Sequence, residues 1–142
     1  MKAKYTGLEV FHLVNVLRQC DSKVGQARQF IGINIKRLAA PYAECLSWLG
    51  DYDDEYSDLT VKRAQDGSVA WFGFDTSESA DGLNAFTTEI SGREYEIEPY
   101  AMTDDVLYLI DNISIGQEEI LRHLTVDRVE ARMKAQQEAD EE

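Results

Sequence analysis

The sequence predicts an α+β fold with N-terminal helices, a central antiparallel sheet of about four strands in two hairpins, and C-terminal helices. Three observations predict it. Apolar residues recur at helical spacing up to residue 50, they alternate between residues 59 and 98, and helix-capping signals return at residue 103. With 142 residues, 44 % of them hydrophobic, the chain is expected to form one globular domain over residues 1–135. An acidic, frayed tail is expected over residues 136–142.

A first helix is predicted from about residue 7 to residue 20. Thr6 and Glu9 have the spacing of a capping box, which satisfies two backbone N–H groups at a helix start. His12 and Gln19 fall on the solvent side of this helix. Four apolar residues at i, i+3, i+4 and i+7 form its core face: Val10, Leu13, Val14 and Leu17.

A second helix is predicted from an apolar stripe that begins after residues 21–22. Its members repeat at helical spacing: Ala27, Ile31, Ile35 and Leu38. Pro41 is expected to end this helix or to begin a new one that runs to Gly50, because proline lacks the N–H group of a helix interior. The β-branched residues 30–35 leave a strand open as an alternative.

Alternating residues predict a first hairpin over residues 59–74, with Asp66 and Gly67 in a tight turn. This register pairs Leu59 with Phe74 and Val61 with Phe72 on an apolar face, and it sets Lys62 opposite Trp71. Because Trp71, Phe72 and Phe74 make both faces of their strand apolar, that strand is predicted to be central in the sheet.

A second hairpin is predicted over residues 85–100, with Ser91 and Gly92 as its loop. The register pairs Phe86 with Ile97 and Thr88 with Tyr95 on the inner face. On the outer face, Glu89 is expected opposite Glu94, with Glu96 and Glu98 further along the strand. Like charges directly opposite each other would destabilise such a pair.

Two or three broken helices are predicted in the C-terminal part. Thr103 is a favourable N-cap, and the two aspartates after it suit the first turn of a helix. Ser114 and Gln117 have the spacing of a second capping box. Residues 125–142 have helical composition and fade into charged residues.

Charge is distributed unevenly along the chain. The net charge is −13, with +4 over residues 1–50, −12 over residues 51–105 and −5 over residues 106–142. The negative field of the middle and the tail disfavours direct nucleic-acid binding and favours a basic protein partner. No apolar run is long enough for a membrane span, and the first residues do not resemble a secretion signal. Two cysteines do not make a disulfide framework, so a cytoplasmic protein is expected.

Enzyme and metal signatures are sparse in this sequence. It lacks a P-loop, a dinucleotide-binding glycine motif, a nucleophile elbow and a zinc-protease helix. No two of the four potential zinc ligands are close enough in sequence to organise a zinc site. These ligands are Cys20, Cys45, His12 and His123. We therefore predict no catalytic residues, no metal site and no cofactor.

Acidic residues between positions 51 and 98 form the predicted partner-binding surface. Few basic residues compensate them, and tyrosines within the acidic stretch suit a protein interface. The alternative is a solvated loop and a solvated strand face. The predicted residues are Asp51, Tyr52, Asp53, Asp54, Glu55, Tyr56, Asp58, Glu89, Glu94, Glu96 and Glu98.

Three functional classes fit these observations. The first is a non-enzymatic acidic protein-binding module, an inhibitor or adaptor that docks on a basic surface of a partner protein. One version of this class is a nucleic-acid mimic that inhibits a nucleic-acid-binding enzyme. The second is a small-ligand-binding protein or small enzyme that uses the aromatic sheet. The third is a self-assembling structural protein, a homo-oligomer in which the basic end of one copy meets the acidic middle of another.

Overall fold

A computed structural model of the chain describes residues 2–52, 59–66, 69–74 and 81–140. It is a mixed helix-and-strand fold with helices at both ends. Two 3₁₀ helices, Asp104–Leu109 and Arg122–Leu124, flank α4. The other elements are β1 (Ala3–Thr6), α1 (Gly7–Gln19), α2 (Gly25–Tyr52), β2 (Leu59–Arg63), β3 (Val69–Phe74), α3 (Asp81–Ser91), β4 (Glu94–Ile97), α4 (Ile115–Leu121) and α5 (Val126–Asp140).

The predicted first helix is confirmed as α1. Its capping box is present: the Glu9 backbone N–H donates to Thr6 Oγ1 at 3.1 Å, and the Thr6 N–H donates to Glu9 Oε1 at 3.0 Å. The predicted core face is buried and the predicted solvent-facing side chains, His12 and Gln19, are exposed. Local signals were sufficient here because both the cap and the stripe lie within one short segment.

The second helix, α2, does not end at Pro41, so that prediction was wrong. The helix is 28 residues long in total, with Pro41 in its interior. Residues 30–35 are helical rather than a strand. Leu38, Tyr42 and Cys45 are buried on the core side of this region. Burial of these side chains on both sides of Pro41 offsets the hydrogen bond that the proline cannot donate.

The strands form two two-stranded sheets, so the prediction of one sheet of about four strands was wrong. The first predicted hairpin is confirmed as β2–β3, with Leu59 opposite Phe74, Val61 opposite Phe72 and Lys62 opposite Trp71. The register shifts after Lys62, so that Arg63 pairs with Val69. Gly67 of the predicted turn lies outside the described residues.

The predicted central position of β3 was also wrong. Within the described ranges, β3 pairs only with β2, and Trp71 is 53 % exposed. The side chain of Lys62 covers part of the indole, with its Nζ atom 5.3 Å from the ring centroid. An apolar strand therefore belongs here to a two-stranded hairpin, one of whose aromatic residues faces solvent.

The second predicted hairpin does not exist. Its first half is helix α3, and β4 pairs in antiparallel register with β1. The predicted pairs Phe86–Ile97, Thr88–Tyr95 and Glu89–Glu94 were therefore wrong. Phe86 and Ile90, four residues apart, are fully buried on one face of α3. A Cβ atom at Gly7 would lie 2.5 Å from the Ile90 carbonyl oxygen, so the close approach of α1 to α3 requires glycine there.

The C-terminal part is broken into successive helices, as predicted, and the last of them, α5, is 15 residues long. The Ser114–Gln117 capping box is present at the start of α4. Thr103 precedes a 3₁₀ helix, and its side chain makes no capping hydrogen bond. Cys20 and Cys45 are free thiols, half-buried and buried respectively. In the described ranges, no helix combines the length and the apolar character that a membrane span requires.

Candidate functional site

The structure places the predicted site residues on three different elements. Asp51 and Tyr52 end α2, Glu89 lies in α3, and Glu94, Glu96 and Glu98 lie on or just after β4. The predicted placement of Glu89 on the same sheet face as Glu94 and Glu96 was therefore wrong. Five of its members lie outside the described residues: Asp53, Asp54, Glu55, Tyr56 and Asp58.

Glu94 and Glu96 project from the outer face of the β1–β4 pair. Both are exposed, whereas Ile97 is buried, as the alternation of a strand predicts. Opposite them on β1 stand Thr6 and Lys4 rather than another glutamate. The Lys4–Glu96 register brings opposite charges together and so favours this pairing. Within the described ranges, neither glutamate makes an ion pair.

Glu89 and Glu98 are engaged within the chain. The Arg93 guanidinium donates to Glu89 Oε1 at 2.9 Å, and Arg93 Cζ lies 3.9 Å from the centroid of the Trp48 ring. Arg37 lies 3.7 Å from a carboxylate oxygen of Glu98 and donates to the Glu98 carbonyl oxygen at 3.0 Å. These arginines offset part of the negative charge that the sequence assigns to the middle segment.

A groove of about 300 Å³ separates the outer face of β1–β4 from the end of α5. Glu94 and Lys4 line it on the sheet side, and Gln136 and Asp140 line it on the helix side. Glu94 and Asp140 are exposed carboxylates on opposite walls. We call this feature, together with Glu96, the sheet–α5 face. The groove therefore has an acidic residue on each wall, with the Lys4 cation on the sheet side.

Arg132 of α5 forms the floor of this groove. Its guanidinium contacts both carboxylate oxygens of Glu9, donates to the Lys4 carbonyl oxygen at 3.0 Å and lies 4.2 Å from the Tyr5 ring centroid. Burial would raise the pKa of Glu9, but hydrogen bonds from Arg132 and Thr6 and the Arg132 charge outweigh it and lower the pKa. The Glu9 carboxylate is therefore held ionised by contacts that also attach α5.

Tyr5 and His123 complete this network on the buried side of Arg132. The Tyr5 hydroxyl donates to the His123 carbonyl oxygen at 2.7 Å, and burial raises the pKa of Tyr5 to about 12. Burial and the Arg132 charge lower the pKa of His123. Arg132 Nη2 lies 3.2 Å from His123 Nδ1. Only a neutral imidazole without a proton on Nδ1 can accept a hydrogen bond from the guanidinium. These contacts attach α5 to the first strand.

A second concave feature was missed by the sequence analysis. A cavity of about 280 Å³ lies between α1, α2 and the β2–β3 hairpin. We call it the α1–α2 pocket. Val14, Ile35 and Leu46 are among its apolar lining residues, and Arg18 and Arg63 are its basic lining residues. The spacing of Val14 and Arg18 could have indicated one wall, but no local signal places the hairpin across it.

Aromatic residues of β3 are divided between core and solvent. Phe72 is half-buried, and its ring centroid lies 5.8 Å from that of Phe11. Trp71 is exposed on the other side of the strand. The aromatic sheet predicted as a ligand platform is therefore not a single concave aromatic surface in the described ranges.

Comparisons with protein-family models, with curated proteins and with solved structures find no match to this chain. Function is therefore inferred from the geometry and charge of its own residues.

Proposed function

We propose that this protein is a non-enzymatic acidic protein-binding module that docks on a basic surface of a partner protein through its sheet–α5 face. The observation that carries the proposal is the state of Glu94 and Glu96. Both are exposed on one strand face, and neither makes an ion pair with a described residue, whereas Glu89 and Glu98 contact arginines.

The groove beside Glu94 supports a docking role for lysine or arginine side chains. A partner cation would approach Glu94 from the sheet side and Asp140 from the helix side. Because these carboxylates are exposed, each contributes little alone, and their summed field mainly accelerates association. A complex formed in this way should weaken as salt concentration rises.

We also predict that the acidic stretch of residues 51–58 contributes to partner binding. It adds five carboxylates and two tyrosines to the same chain, and tyrosine is enriched where interface energy concentrates. An inhibitor that mimics nucleic acid is one form that such a module would take, with the basic site of a nucleic-acid-binding enzyme as its target.

Affinity capture with paired variants tests the proposal. The site variant is Glu94→Gln/Glu96→Gln, and the control is Glu130→Gln/Glu138→Gln, which removes two exposed carboxylates of α5 that form no ion pair in the described ranges. The two variants have the same net charge. Full-length proteins serve as baits in extract from the native host, and quantitative mass spectrometry reads the captured proteins.

The expected result is a basic protein retained by the unmutated chain and by the control, lost by the site variant, and released by salt. Association kinetics with that protein should then show slower binding for the site variant at low ionic strength. If both variants capture the same proteins in the same amounts, the sheet–α5 face is only a solvated surface.

A further inference from the structure

The α1–α2 pocket combines an apolar wall with positive charge in a protein of net charge −13. Ligand sites in proteins are typically concave, mostly apolar and equipped with a few placed polar groups, at volumes of roughly 300–1,000 Å³. A cavity of about 280 Å³ lies just below that range. Its size therefore suits a small molecule rather than a cofactor or a peptide.

Arg18 is held in place at this pocket by an aromatic ring. Its Cζ atom lies 4.8 Å from the centroid of the Tyr42 ring. The Tyr42 hydroxyl donates to Asn15 Oδ1 at 2.9 Å, so the ring is fixed at its far end. Preorganisation of this kind lowers the entropy lost when a ligand binds the guanidinium.

Arg18 also differs from most described arginines in its partners. Arg37, Arg93, Arg122, Arg128 and Arg132 each contact a carboxylate of the chain. Within the described ranges Arg18 makes no such contact, although the sequence has 27 acidic residues against 14 basic ones. The pocket therefore keeps a positive charge at Arg18 that the chain's own described acids do not neutralise.

We propose that the α1–α2 pocket binds a small organic carboxylate with an apolar body. The carboxylate would accept hydrogen bonds from Arg18 in the planar geometry that guanidinium favours. The apolar body would lie against Val14, Ile35 and Leu46. This site is independent of the sheet–α5 face and carries the opposite charge.

Three probes with the same body separate charge from burial. They are 3-phenylpropionate, 3-phenylpropanol and 3-phenylpropylamine, and inorganic phosphate serves as a charge without a body. Each is titrated into the isotopically labelled full-length protein, and amide chemical shifts are followed by NMR. We expect saturable shifts centred on the pocket residues with the carboxylate and weaker or no shifts with the others.

Two substitutions and a control assign the site. Arg18→Gln should weaken carboxylate binding by about tenfold or more, since a charge-assisted hydrogen bond is lost. Arg28→Gln is the matched control because Arg28 is exposed in α2 and makes no ion pair in the described ranges. Ala43→Leu fills the pocket from an exposed lining position and should abolish binding without disturbing the core.

Several outcomes would overturn the proposal. Equal shifts with the alcohol would mean an apolar groove in which charge plays no part, and equal shifts with phosphate would mean a simple anion site. If no probe gives saturable shifts, or if Ala43→Leu binds the carboxylate as well as the unmutated protein, the pocket does not bind such a ligand. If Asp53→Asn/Asp54→Asn/Glu55→Gln shifts the same amides without a probe, the occupant is the chain's own acidic segment.

Discussion

Arg132 fastens α5 to the start of the chain, and replacing it tests how much of the fold depends on one guanidinium. It contacts the Glu9 carboxylate, the Lys4 carbonyl oxygen and the Tyr5 ring, so one side chain joins three positions more than 120 residues away in sequence. Arg132→Met is the informative change. Methionine keeps an apolar stem but removes the charge and every hydrogen-bond donor.

The magnitude follows from the partial burial of the pair. The side chains of Arg132 and Glu9 are 20 % and 30 % exposed. Exposed ion pairs contribute about 0–1 kcal/mol, and removing one partner of a fully buried pair costs about 3–5 kcal/mol. We therefore expect Arg132→Met to lower the free energy of unfolding by about 2–3 kcal/mol. Glu9→Gln should cost about 1 kcal/mol, because the amide oxygen can still accept from the Thr6 N–H.

A double-mutant cycle in urea at pH 7 measures this interaction. The variant with both changes should lose about 1–2 kcal/mol less than the sum of the single losses, since both remove the same contact. Amide hydrogen exchange should also accelerate along α5 in Arg132→Met. The control is Arg128→Met, because Arg128 pairs at 2.8 Å with Glu119, whose side chain is 58 % exposed. Its loss should stay below about 1 kcal/mol. A coupling energy under about 0.5 kcal/mol would refute the role given to Arg132.

Three further predictions concern the core and the dependence of stability on pH. Phe86→Ala should destabilise by about 3–5 kcal/mol in urea, and Phe72→Ala by less because its ring is only half-buried. Equal losses would contradict the burial of α3. The pKa of Tyr5 rises from 10.0 to about 12 on folding, so the native state holds its proton more tightly and stability should fall between pH 10 and pH 12. Tyr5→Phe should reduce this loss of stability with rising pH, and an unchanged loss would count against the raised pKa of Tyr5. The pKa of His123 falls on folding, so stability should decrease as pH drops below about 6.5, and less so in His123→Gln.

Elements with local signals were predictable from the sequence. The α1 cap and stripe lie within residues 6–17, and the β2–β3 register follows from a turn only a few residues long. In both cases the residues that fix the structure are neighbours in sequence. The helix through Pro41 was not predictable in this way, because burial of its flanking residues by other elements decides it.

The pairing of β1 with β4 could not be read from local pattern. Residues 3–6 pair with residues 94–97, and about 90 residues separate them in sequence. The alternating pattern and the Ser91–Gly92 loop favoured a strand over residues 85–90, yet the spacing of Phe86 and Ile90 was also that of a helix. The same long-range contacts build the groove beside Glu94. The exposure of Glu94 and Glu96 was therefore predictable, but their position beside α5 was not.

The N-terminal basic segment and the acidic middle segment meet within one chain. Lys4 stands opposite Glu96 in the β1–β4 register, and Arg37 contacts Glu98. This attraction was the reason to consider self-assembly, and the contact of Arg37 with Glu98 satisfies part of it within the chain. Among the described charges that make no ion pair within the chain are Glu94 and Glu96 of the sheet–α5 face and the Arg18 guanidinium at the α1–α2 pocket. Salt would weaken binding at both, since screening does not depend on the sign of a charge. Glu94→Gln/Glu96→Gln alters only the sheet–α5 face and should weaken binding of a basic protein partner. Arg18→Gln alters only the α1–α2 pocket and should weaken binding of an organic anion.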